Sequence, residues 1–345
     1  MMRVGIIGGG NISDTHARAA EAIPGLHVAA VHGDNRERTA RLAAAHGATA
    51  YGDFDRFLDH PLDLVIIGSP SGRHAEQGIA AARRGLHVLV EKPIDISTER
   101  ADALIAAADA ARVKLGVTFQ DRLHPAVVEI KAMMDGGEIG SPVMISGRVK
   151  WHRPREYYAD SRWRGTWALD GGGALINQAI HTVDLIQWLF GPVRRVYGVT
   201  ATRVHDIEVE DTAAALFNFS SGAIGTIEAG TSMFPGYARR LEVTGSEGTV
   251  ILEHDRLDRV DLRSGTSSHR VTGGDQSASA STAVVADASA HQRVLEDFIR
   301  AIETDGRPMC DGREGRKSVA LVQAVYESAR SGGPVFIHDE TRGRP

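Results

Sequence analysis

Apolar positions along this chain follow two rhythms. Up to about residue 120, short runs that are apolar almost without interruption (RVGIIG, HVAAVHG, DLVIIGSP, HVLVEKP, VKLGVTF) alternate with Ala-rich stretches (RERTARLAAAHG, HAEQGIAAARRG, TERADALIAAADAAR). Continuous apolar runs suit strands buried on both faces, and helices ending in Gly between them point to βαβ units around a parallel sheet. Beyond the helix PAVVEIKAMMDGG the rhythm changes. PVMISGRVKW, RRVYGVTATRV, TAAALFNF-SSGA-IGTIEAG and RRLEVTG-SEG-TVILE follow one another, the later ones through tight Gly-containing turns. That predicts a mainly antiparallel sheet with the opening helix packed on one face.

The fold class is thus α/β plus α+β. A doubly wound domain over 1–122 precedes an α+β domain over 123–345, as suits 345 residues at roughly 100–200 per domain. Residues 272–290, poor in large apolar side chains, are expected to be a mobile surface loop. Two helices, HQRVLEDFIRAIETDG and GREGRKSVALVQAVYESARSGG, close the pattern.

Composition narrows the possibilities. A net charge of −5 offers no field for nucleic acid or an anionic membrane. The single cysteine, Cys310, excludes an internal disulfide and a cysteine metal cluster and fits a reducing compartment. The opening MMRVGIIGGG is too short in apolar length for a signal segment, and the expected location is cytoplasmic.

Candidate chemistry begins where the first strand runs into Gly8-Gly9-Gly10-Asn11-Ile12-Ser13. Such a turn lets backbone approach a pyrophosphate and aims helix N–H groups at it. Ser13 replaces the third glycine, which serves packing rather than phosphate contact. Asp34, after the second strand, can accept from a ribose diol and would repel a 2′-phosphate, favouring NAD; Arg36 and Arg38 lie close enough to leave NADP open. Asp34 could equally cap the next helix. Glu91-Lys92-Pro93 ends a strand at the carboxyl edge where ligands sit in open α/β sheets. GGGALINQAIH carries Asn177 and His181 four positions apart, hence on one face of a helix. A lone His in an apolar helix is more often structural.

Taken together, GGGNIS, SPSGRHAEQGIAAARRGLHVLVEKP, WRGTWALDGGGALINQAIHTVDLIQWL and GREGRKSVALVQAVYESARSG resemble the glucose-fructose oxidoreductase / inositol dehydrogenase (Gfo/Idh/MocA) family, over nearly the whole chain. The resemblance implies a Rossmann domain, a domain with an open-faced, mainly antiparallel sheet used for oligomer contacts in a homodimer or homotetramer, and an active site between them that oxidises or reduces a hydroxyl carbon of a sugar or cyclitol. Position by position, it places Gly8, Gly10, Asn11 and Ile12 at the pyrophosphate and Ser69, Pro70, Ser71 and His74 beside the cofactor. Glu91 also falls at the cofactor, Lys92 on nicotinamide ribose and substrate, and Gln120 and Arg122 near nicotinamide and sugar.

For alcohol oxidation, a neutral imidazole with a reference pKa of about 6.5 suits proton removal, so His181 is the expected acid/base and Lys92 the group that polarises the reacting oxygen. Many family members carry Asp where this chain has Asn177, which here is expected to hold the substrate hydroxyl or the imidazole. Tyr157, Trp163 and Arg164, from an aromatic and Arg-rich segment, are substrate-site candidates, with packing or an interface as the other reading. No metal is expected, since His152, His181 and His205 lack ligand spacing. Rival readings are a glycosidase that retains NAD and acts by transient oxidation and elimination, and a non-catalytic sugar or dinucleotide sensor.

Overall fold

The computed structural model describes residues 1–265, 267–268 and 287–337. Its chain divides into two compact units, Met1–Leu123 with Val284–Val319, and His124–Ala283 with Ala320–Pro345.

The first unit holds β1 (Met2–Ile7), α1 (Asn11–Glu21), β2 (Leu26–His32), α2 (Arg36–Ala45), β3 (Thr49–Tyr51), α3 (Phe54–Leu58), β4 (Leu64–Ile67), α4 (His74–Arg83), β5 (His87–Glu91), α5 (Thr98–Ala111) and β6 (Leu115–Thr118). The six strands pair in parallel in the order β3-β2-β1-β4-β5-β6. That order reverses beside β1, where doubly wound sheets bind dinucleotides. Val4, Ile6, Val28, Leu64 and Leu89 on the strands pack with Ala17 and Ala20 of α1. The same core takes Val294, Leu295 and Phe298 from a later helix, α9 (Ser289–Glu303), which explains why 284–319 belong to this unit.

In the second unit, α6 (Pro125–Asp135) leads to β7 (Pro142–Lys150), the short α7 (Glu156–Ala159), a π-helical turn (Ala174–Ala179) and α8 (Ile180–Phe190). The remaining strands are β8 (Val193–Ala201), β9 (Thr212–Phe219), β10 (Ile224–Gly230), β11 (Arg240–Gly245), β12 (Gly248–Glu253), β13 (Arg256–Leu262), β14 (Ser267–Ser268) and β15 (Val335–Phe336). Among the described residues they form a nine-stranded sheet, order β14-β13-β12-β11-β7-β10-β9-β8-β15. Every pairing is antiparallel except β7 with β10. The period-2 pattern of β9 buries Ala213, Ala215, Phe217 and Phe219 and turns Leu216 outward. α8 packs over β7, where a Cβ on Gly147 would come within 2.6 Å of Thr182, while α6 sits by β12. Tyr197, Val199, Leu216, Ile224 and Met144 stay exposed on the sheet.

A final helix, α10 (Gly312–Ser331), contributes its first residues to the first unit and the rest to the second. Of the loop expected over 272–290, residues 272–286 lie outside the described residues, and Ser289 already opens α9. No helix among the described residues is long and apolar enough to cross a membrane.

Candidate active site

In the first unit, β1 delivers the chain to Gly8 at φ +128°, a backbone conformation open to glycine but strained for other residues. The α1 N-cap, Gly10, supplies no side-chain hydrogen bond, and the space where its Cβ would stand is empty to 4 Å. The first N–H groups of a helix lack intrahelical partners, so this end offers donors to an anion. Ser13, at the third position of the glycine motif, is fully buried and its Oγ has no hydrogen-bond partner. Gly68 makes room for it, since a Cβ there would lie 3.3 Å from that oxygen. An open cradle at Gly10 and the N-terminal end of α1 together fit a dinucleotide pyrophosphate.

Asp34 is not a helix cap. The α2 cap is Asn35, whose side chain accepts from the Arg38 N–H at 3.0 Å, while Asp34 is exposed and pairs with Arg73 at 2.7 Å. Ser69 donates to Gln77 at 2.6 Å. Pro70 leads into a short 3₁₀ turn at Ser71–Arg73, in which Ser71 is buried. Gln120 opens another such turn after β6, and its buried Oε1 has no hydrogen-bond partner.

Three expected ligand contacts have other engagements. His74 is buried with Nδ1 2.8 Å from the Pro93 carbonyl and Nε2 2.9 Å from that of Ser69, so its ring joins the Ser69 loop to the Glu91-Lys92-Pro93 turn. Arg122 is buried against the Met309 carbonyl and Glu314 at 3.1 Å. Glu91 is buried with Oε1 2.8 Å from His16 Nε2 and 3.6 Å from His291 Nε2, and its Oε2 accepts the Lys92 N–H at 3.1 Å. Burial pushes the Glu91 carboxyl up, but the two imidazoles outweigh it and hold the group well below the usual carboxylate range. His16, Glu91 and His291 lie far apart in sequence, and the spacing rules that weighed His152, His181 and His205 had no means of finding them. Their ligand atoms lie within 4.8 Å of one another, close enough for a metal ion. As hydrogen-bonded groups they already tie α1, the β5 end and α9 together.

From Val88 to Asp95 every residue is buried except Lys92. The second unit repeats this selectivity: from Gly172 to Ile186 every residue is buried except Asn177 and His181. The segment is not a plain α-helix as expected, because its first turn is π-helical, a wider turn frequent at functional sites. Glu210 fixes that turn. Its carboxylate accepts the N–H of Gly173 at 2.9 Å and of Leu175 at 2.8 Å, its carbonyl accepts that of Ala174 at 3.0 Å, and Tyr326 donates its hydroxyl at 2.9 Å. Burial pushes the Glu210 carboxyl up to about 7 against these donors.

Asn177 donates from Nδ2 to the buried Asp170, whose other oxygen accepts the Gly165 N–H at 2.8 Å. Gln178 donates to Asn177 Oδ1 at 2.7 Å and to the Tyr157 hydroxyl at 2.9 Å, and accepts from Arg153 at 2.7 Å. The Arg164 guanidinium lies 4.7 Å from the ring centroids of both Tyr157 and Trp163. The three aromatic and Arg candidates are therefore one cluster, joined through Gln178 to Asn177. Asp170, Gln178 and Glu210 were not singled out from sequence, although Gln178 stands beside Asn177 and Glu210 just before a strand.

Residues 2–119 match the oxidoreductase family with an NAD-binding Rossmann fold, and 127–251 match the GFO/IDH/MocA C-terminal domain. The chain belongs to the Gfo/Idh/MocA oxidoreductases. A solved structure of this family, the WlbA dehydrogenase of Bordetella pertussis in complex with NADH and UDP-GlcNAcA, is 32% identical with a TM-score of 0.87, covering 98% of this chain and 99% of that one. Among sequence relatives, a D-xylose 1-dehydrogenase (NADP(+)) of Haloferax volcanii is 29% identical over 97% of this chain and 99% of its own length. An inositol 2-dehydrogenase of Rhizobium meliloti is 28% identical over 95% and 96%. The Gfo/Idh/MocA Rossmann unit binds NAD, and its relatives named here are dehydrogenases acting on sugars or cyclitols.

Proposed function

We propose that this chain is an NAD(P)-dependent dehydrogenase of a sugar, sugar derivative or cyclitol, with His181 as acid/base and Lys92 polarising the reacting oxygen. The observation that carries the reading is selective exposure: Lys92 in one buried segment, Asn177 and His181 in another. Gly8, Gly10, Asn11 and Ile12 cradle the pyrophosphate, Asp34 takes the adenosine ribose, and the Ser69–Ser71 loop and Gln120 border the nicotinamide end. When bound, the nicotinamide accepts or returns the hydride. His181 removes the hydroxyl proton at an imidazole nitrogen, and the Lys92 ammonium hydrogen-bonds the same oxygen as negative charge develops. Asn177, held by Asp170 and Gln178, orients the hydroxyl or the imidazole. Asp34 favours NAD over NADP by repelling a 2′-phosphate. The exposed apolar face over β8, β9 and β10 supports a homo-oligomer, a dimer or tetramer, with that face covered.

The test is a panel of neutral sugars, sugar acids, nucleotide sugars and inositols, followed by nicotinamide absorbance with NAD and NADP. Lys92→Ala and His181→Ala are each expected to lower kcat on the order of 10²- to 10⁴-fold. Absence of nicotinamide reduction across the panel, or full turnover in both variants, overturns the reading. Substrate cleavage without net reduction returns the NAD-retaining glycosidase.

A further inference from the structure

We infer that the substrate carries an anionic group, a carboxylate or a phosphate, that pairs with Arg164; this rests on the dehydrogenase reading above and names the class of its substrate. Arg164 is half-buried, and its guanidinium lies over two rings, Tyr157 and Trp163, at 4.7 Å from each centroid. Stacking engages the faces of a guanidinium and leaves its in-plane N–H fork available to a planar or tetrahedral oxyanion.

That fork lacks an acceptor. Nε of Arg164 is buried without a hydrogen-bond partner, and among the described residues no carboxylate pairs with the side chain; the polar contact of this residue is its backbone N–H on Ser161 at 3.2 Å. Several other partly buried arginines of the chain have carboxylate partners. Arg100 pairs with Asp95, Arg122 with Glu314, and Arg240 with Glu242 and Glu253. Desolvating a guanidinium donor without an acceptor is costly, and a ligand oxyanion supplies what the chain does not.

A second cation reinforces the point. The buried Arg153 guanidinium stands 5.7 Å from the centroid of the Tyr157 ring that Arg164 also contacts, so two like charges share one aromatic side chain. The place also suits a substrate contact, because Tyr157 is hydrogen-bonded to Gln178, and Gln178 to the accessible Asn177. Arg164 would thus grip a group remote from the reacting carbon and fix which carbon meets His181.

The experiment compares neutral hexoses, hexuronates, hexose phosphates and nucleotide-linked forms of both with the intact chain. The parent is expected to prefer an anionic sugar over its neutral counterpart in kcat/KM. Arg164→Gln should cut that ratio on the order of 10- to 100-fold, with Arg164→Lys recovering part of it. The hexuronate and phosphate arms separate the two oxyanion sources. Binding of the same sugars to the NADH complex, followed by calorimetry, reads the subsite independently of turnover. Selective loss of anionic-sugar binding in Arg164→Gln supports the subsite even where no sugar turns over, which would sink the dehydrogenase reading alone. Equal parent preference for neutral and anionic sugars, or equal loss of both in Arg164→Gln, overturns the inference.

Discussion

Gly173 lies so close to Glu210 that a Cβ on Gly173 would stand 1.9 Å from the Glu210 carbonyl oxygen. The obstruction is backbone, which no side-chain rotation relieves. Gly173→Ala is therefore expected to shift the turn that presents Asn177 and His181. Overpacking of this kind costs about 1–3 kcal/mol. Thermal melts should show that loss and steady-state assays a larger fall in kcat than in cofactor affinity; unchanged kcat would contradict the clamp.

The Glu210 carboxyl gives this clamp a pH dependence. A folded-state pKa raised to about 7 means that its contribution to stability is fully present below the unfolded value and is lost as pH rises through 7. Denaturant unfolding of the parent and Glu210→Gln at pH 5 and pH 8 tests the sign. The parent's advantage over the variant should be greater at pH 5; an advantage that grows toward pH 8 refutes it.

Position 177 carries an amide beside a buried carboxylate. Asn177 donates to Asp170, so Asn177→Asp would set two carboxylates against each other, raising the pKa of one. The variant should be less stable than the parent at pH 8 by about 1–3 kcal/mol, with recovery in acid. Asp170→Asn in the same chain should restore much of the loss. Parent-like melting at pH 8 would show that Asp170 does not select the amide.

Tyr197 on β8 is the cross-strand partner of Leu216 on β9, and both are exposed. Replacing both by Lys puts two charges side by side on an otherwise apolar face. Light scattering should report a smaller assembly with unchanged circular dichroism. A monomeric parent, or an assembly that survives the double substitution, removes this face from consideration.

Several features lay open in the sequence and others did not, for identifiable reasons. The strands β1, β2, β4, β5 and β6 are legible because burial on both faces leaves them continuously apolar. β3 and α3 are too short to carry a period, and β3 is an edge strand whose residues are mostly exposed. The wide turn at Ala174–Ala179 has apolar residues that suit an α-helix equally; contacts with Glu210, distant in sequence, accompany the difference. Lys92, Asn177 and His181 could be picked out by motif. Where the neighbouring charges go could not: Glu91 meets His16 and His291, Arg122 meets Glu314, and Asp170 meets Asn177 only after folding.

The membership of α9 in the first unit has a consequence for biosynthesis. Val294, Leu295 and Phe298 complete the core around Val4 and Ile6, yet a ribosome makes them only after β7 through β13 have been synthesised. The nascent Rossmann strands therefore wait, with part of their apolar surface uncovered, until nearly the whole chain has emerged. A fragment released at residue 123 would carry the complete glycine turn on an unfinished core, and it should be a target for chaperones and proteases rather than a portable NAD-binding module.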